Sequence, residues 1–147
     1  MEREQNRLYK RDAAWRVAGY AQLRKSPDAT LINVSSGLAF VPLARFPIYC
    51  ATKAAVHSFT MSLRHQLRGT SVKVIELIPP YVATALGKES KSILPVSHPP
   101  MPLEAFIRET LRGLEGDADE LAIGDARNLV AAAGGESVWK AFTGMNQ

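Results

Sequence analysis

Between residues 30 and 78 the chain reads as a strand, a helix and a second strand, and this order limits the folds open to it more than any other feature. Residues 30–34, TLINV, are β-branched and apolar, which suits a strand buried on both faces. Residues 49–68 contain neither Pro nor Gly, and Val56, Phe59, Leu63 and Leu67 recur on one helical face, with Gly69 as the stop. Residues 72–78, VKVIELI, predict a second buried strand, closed by Pro79 and Pro80, which have no N–H to give to a ladder. Two strands joined through a helix pair in parallel with a right-handed crossover, so the expected class is α/β with a parallel sheet.

The remaining segments add to that unit. A helix over residues 2–25 is expected from Leu8, Trp15, Ala18 and Ala21, stopped by Ser26, Pro27 and Asp28. Residues 84–101 are rich in Ser, Lys and Pro and read as a long loop, either a mobile lid that would shape a pocket or a disordered connection. A helix over residues 102–114 should turn Leu103, Phe106, Ile107, Thr110, Leu111 and Leu114 inward, with Gly113 and Gly116 near its end. A short strand at ELAIG follows, and then small helical pieces, RNLVAAA and ESVWKAF, around the Gly134-Gly135 break.

Composition excludes several classes. No stretch approaches the roughly 18 consecutive apolar residues of a membrane span, and the charged N-terminus is unlike a signal peptide, so a cytoplasmic protein without a membrane partner is expected. Cys50 is the single cysteine, which rules out an internal disulfide and fits a reducing compartment. His57, His65 and His98 show no ligand spacing with one another or with carboxylates, so no metal is expected. The net charge of +4 is local: residues 1–25 hold seven Lys or Arg against three Asp or Glu, and the rest of the chain is balanced. That is a solvated basic face, and no nucleic-acid partner is expected from it.

The chemistry-bearing residues cluster around the first strand–helix junction. Tyr49 and Lys53 stand at i and i+4 near a helix start, on one face and about 6 Å apart at Cβ. An ammonium beside a phenol favours the tyrosinate, so Tyr49 is a candidate to exchange a proton with a carbonyl or alcohol oxygen. Ser36 lies at the C-terminal end of the preceding strand, where open α/β sheets bind ligands, and its hydroxyl suits a substrate oxygen. Ser35 beside it is assigned to turn chemistry.

INVSS, YCATK and PPYVAT, in this order and spacing, resemble three consecutive motifs of the short-chain dehydrogenase/reductase family, and the stretch from about Gln22 onward is most similar to its DltE-type oxidoreductases. The resemblance implies a Rossmann-type parallel sheet, here partial, with about three strands and flanking helices. It implies NAD- or NADP-dependent interconversion of a small-molecule carbonyl and an alcohol. Ser36 would orient the substrate, Tyr49 act as acid/base, and Lys53 support Tyr49 and bind the nicotinamide ribose. The Pro-Gly-x-Val-x-Thr segment of the family resembles Pro79, Pro80, Tyr81, Val82, Ala83 and Thr84, with Pro80 in place of the Gly, so Pro79, Val82 and Thr84 join Tyr49 and Lys53 as candidate cofactor contacts.

The family's glycine-rich phosphate-binding turn has no counterpart among the ten glycines, and its catalytic Asn would fall near Leu8. Residues 1–21 are therefore expected to be a non-family segment and residues 22–147 the C-terminal half of the domain. The missing nucleotide-binding half would amount to on the order of 100 residues. Loss of a neighbouring strand would leave residues 30–34 at an open apolar edge. By the same resemblance, the helix over residues 49–68 is the expected homo-oligomer interface, and weak activity, or an inactive interaction module, is expected of the chain by itself.

Overall fold

The computed structural model describes residues 22–23, 25–84, 99–133 and 144. Strand β1 spans Ala29–Val34, helix α1 Pro47–Gln66, β2 Val72–Ile78, α2 Leu103–Leu114, β3 Glu120–Ala122 and α3 Ala126–Ala132, with a 3-10 turn at Gly37–Ala39. The strands form a parallel sheet in the order β1-β2-β3. Ala29 stands opposite Val72 and Val34 opposite Leu77, while Glu76 stands opposite Glu120. The expected α/β class and parallel strand–helix–strand unit are what the chain forms.

α1 begins two residues earlier than the Pro-free stretch because Pro47 occupies its first turn, where a missing N–H costs nothing. It ends at Gln66, and Gly69, at φ +81°, takes the left-handed conformation that turns the chain toward β2. One sheet face packs on α1: Ala29, Val72 and Val74 with Leu63 and Leu67, flanked by Leu31 and Phe59. The other packs on α2: Ile75, Leu77, Leu121 and Ile123 with Met101, Phe106 and Leu114.

Two expectations are corrected. β1 is not buried on both faces: Ile32 and Val34 are 42% and 48% exposed, because α2 covers β2 and β3 and stops short of β1. Among the described residues no strand pairs with the outer edge of β1. In α2 the stripe Leu103, Ile107 and Leu111 faces solvent, while Phe106 and Leu114 pack inward and Gly113 lies against Leu121. Of the expected N-terminal helix only residues 22–23 and 25 are described; the expected piece RNLVAAA forms most of α3, while residues 85–98 of the expected lid and the piece ESVWKAF lie outside the described residues.

α3 closes the fold against the 3-10 turn after β1. A Cβ added at Gly37 would lie 2.8 Å from Leu129 Cδ1, the end of a flexible side chain, and 3.3 Å from both Ala126 Cα and Cβ, so α3 sits closely on this glycine and a larger residue would make Leu129 and α3 shift. Gly37→Ala is expected to destabilise the chain by about 1–3 kcal/mol through overpacking, and Leu129→Ala in the same background to recover part of the loss. Urea unfolding of the two single variants and the double variant measures this.

Candidate active site

Ser36 is positioned by backbone on both sides. The Ser35 N–H donates to the Leu77 carbonyl at 3.0 Å, and the Gly37 N–H to the Pro79 carbonyl at 3.2 Å, so the parallel ladder continues past the end of β1. Both serines are buried. The turn role expected of Ser35 belongs to Ser36, whose Oγ accepts from the Leu38 N–H at 3.2 Å and caps the 3-10 turn. The Ser35 Oγ is buried without a hydrogen-bond partner among the described residues. Strand alternation decides which of two adjacent hydroxyls reaches the turn, and sequence does not show that phase. The Ser36 hydroxyl proton remains available to a second acceptor.

Tyr49 is the third residue of α1 and is 43% exposed. Lys53, one turn on, places its Nζ 5.7 Å from the Tyr49 ring centroid and donates to the Val34 carbonyl at 3.0 Å. Lys53 thus touches the Tyr49 ring and the last residue of β1, two positions before Ser36. Cys50 secures the loop into this helix: its thiol accepts from the Leu43 N–H at 3.3 Å and faces the Leu43 carbonyl at 3.7 Å.

The Pro79–Thr84 segment runs past the same end of the sheet. Val82 bridges to Met101, with the Met101 N–H donating to the Tyr81 carbonyl at 2.8 Å and the Ala83 N–H to the Met101 carbonyl at 2.9 Å. The two ends of the 84–101 segment are therefore zipped together beside the strand termini. Pro80 packs on Gly124, where an added Cβ would lie 3.4 Å from the Pro80 Cγ. A cleft lined by Glu109, Arg112, Glu120, Ile123 and Arg127 touches none of Ser36, Tyr49 or Lys53.

Below the junction, the face between α1 and the sheet carries a row of polar side chains that the sequence reading missed. Asn33, Glu76 and Glu120 stand opposite one another in register across the three strands. Each meets a residue of α1: Asn33 donates to Thr60 Oγ1 at 3.0 Å, His57 Nδ1 lies 2.8 Å from Glu76 Oε2, and Arg64 donates to Glu120 Oε1 at 3.3 Å. Glu76 is fully buried. The available signal was a carboxylate inside the apolar run VKVIELI, which a folded chain tolerates only with a partner. His57, expected to be an ordinary helix residue, is that partner, and its ring also meets the Phe40 ring in a tilted contact, 4.5 Å between centroids.

Comparison with known proteins identifies the architecture. The family model for short chain dehydrogenase matches residues 15–93, and the chain belongs to that family. It is 48% identical over 99 residues to the uncharacterised oxidoreductase DltE of Bacillus subtilis (strain 168), a match covering 67% of this chain and 39% of that one. It is 34% identical over 82 residues to the human very-long-chain 3-oxoacyl-CoA reductase, covering 56% of this chain and 25% of the relative. Among solved structures, a short chain dehydrogenase from Burkholderia cenocepacia J2315 in complex with NADP superposes with a TM-score of 0.64 at 30% identity, over 75% of this chain and 44% of that one. The chain thus spans less than half the length of these relatives. Among the described residues no helix is long and apolar enough to cross a membrane.

The His57–Glu76 pair yields a stability prediction. His57→Ala leaves the Glu76 carboxyl group buried without its partner and is expected to cost about 3 kcal/mol or more. His57→Ala combined with Glu76→Leu should recover most of that loss, since the buried charge is then gone. Denaturant melts of the pair and of each single variant measure both effects.

Proposed function

We propose that this chain carries the proton-transfer side of an NAD(P)-dependent oxidoreductase that interconverts a small-molecule carbonyl and an alcohol. The observation that carries the reading is the Lys53 ammonium, which reaches the Tyr49 ring and the Val34 carbonyl at once and so joins the helix start to the strand end that leads into Ser36.

In this reading a bound nicotinamide cofactor supplies or takes the hydride. Tyr49 delivers a proton to the substrate oxygen in reduction and takes it back in oxidation, from an exposed position that lets substrate approach. Ser36 holds the same oxygen with its free hydroxyl proton, since its lone pair is engaged by Leu38. Lys53 orients the phenol and meets the nicotinamide ribose. Pro79, Val82 and Thr84 would hold the nicotinamide end, on a stretch of backbone whose path the Val82–Met101 bridge fixes. The donor set fits a nicotinamide group. The NADP in the Burkholderia structure supports this cofactor class. The lone, buried Cys50 suits a reducing cytoplasm.

The second reading is self-association without catalysis. The outward face of α1 carries Ala51, Ala55, Ser58 and Ser62 around the half-exposed Met61, small side chains that let a second helix approach closely.

A chimera separates the two. Replacing the matched segment of the Bacillus DltE protein with that of this chain should give NADPH- or NADH-dependent reduction of members of a ketone and aldehyde panel. Tyr49→Phe should lower that rate by about 100-fold or more while leaving the circular dichroism unchanged. A rate indifferent to Tyr49→Phe would overturn the acid/base assignment and leave α1 as an association surface.

A further inference from the structure

We propose that His57, Glu76 and Glu120 form a binding site for one divalent cation of the borderline class, such as Zn2+ or Mn2+. Their ligand atoms all lie within 4.8 Å of one another, and they come from three different elements, α1, β2 and β3. The parallel register sets Glu76 directly beside Glu120 on the sheet face that α1 covers, and the helix brings His57 over them.

The cluster is short of positive charge and of donors. Arg64 lies 3.3 Å from one oxygen of Glu120. Glu76, whose side chain is fully buried, meets His57 through Oε2, while its Oε1 has no hydrogen-bond partner among the described residues. A buried carboxylate oxygen with no donor is a destabilising arrangement that a coordinated cation would relieve. Solvent has access, since the side chains of His57 and Glu120 are 24% and 39% exposed.

The donor set selects the ion. One imidazole nitrogen and two carboxylates suit zinc or manganese, with water completing the coordination, and offer no thiolate for softer metals. Cys50 is engaged with Leu43 elsewhere. Two ligands at about 2.1 Å from a common ion lie at most about 4.2 Å apart, so closure needs only a small rotation, which the half-exposed Glu120 can provide. The ion would be shared by His57, Glu76 and Glu120 and tie α1 to both strands one turn beyond Lys53. The proposal does not depend on hydride transfer and is tested without it.

Tag-free protein, stripped with chelator, is titrated with Zn2+ by calorimetry and with Co2+ by visible absorption. One equivalent should bind, with a Co2+ ligand-field band, and the melting temperature should rise with added metal. His57→Gln and Glu120→Gln should each weaken binding by about tenfold or more, and His65→Gln should leave it unchanged. Glu120→Gln lies at a half-exposed position, so it tests the site even if a change at His57 disturbs the fold. Absence of saturable binding, or binding equal in the wild type and Glu120→Gln, would overturn the site and leave His57–Glu76 as a proton-bridged pair only.

Discussion

Helix α1 is held to the sheet by three kinds of contact along its length, and the rest of the structure depends on that docking. Its C-terminal part is an apolar seat, where Leu63 and Leu67 pack on Ala29, Val72 and Val74. Its middle is polar, with Thr60 on Asn33, His57 on Glu76 and Arg64 on Glu120. Its N-terminal part is tied by one ammonium, Lys53, to the last carbonyl of β1. Hydrophobic burial supplies most of the attraction but no direction, whereas the hydrogen bonds accept one register of helix over strands. A slip of α1 by one residue would strand Glu76 and move Tyr49 off the strand end.

The proposed chemistry would lie where that docking ends. Parallel strands deliver their C-terminal ends to one side of the sheet, and the return helix begins on the same side. Ser36 leaves β1 there, the 79–84 segment leaves β2 there, and Tyr49 opens α1 there. α3, seated on Gly37, braces the turn that carries Ser36. Family membership and position within the fold agree on this end of the sheet as the place to look for reaction.

Much of this was legible in the sequence because the signals were strong and local. β2 runs from Val72 to Ile78 as its apolar run predicts, and α1 is displaced only by Pro47. Local pattern could not rank alternatives that tertiary contacts decide. α2 carries two apolar stripes, and the shape of the surface made by Ile75, Leu77 and Leu121 selects Phe106 and Leu114 over Ile107 and Leu111. β1 has the composition of a strand covered twice and is covered once, since a residue cannot report whether its neighbour is present. Glu76 was visible as an anomaly, but its partner His57, nineteen residues away, was not.

The account stands on Ser36 and Tyr49 addressing one substrate oxygen from two different elements. A crystal structure of the protein, read for the separation between Ser36 Oγ and Tyr49 Oη, tests this most directly. The account predicts hydroxyls no more than about 6 Å apart and facing a common space, so that one oxygen can sit about 3 Å from both. Hydroxyls on opposite sides of α1, or a Tyr49 ring turned out to bulk solvent away from the end of β1, would contradict it.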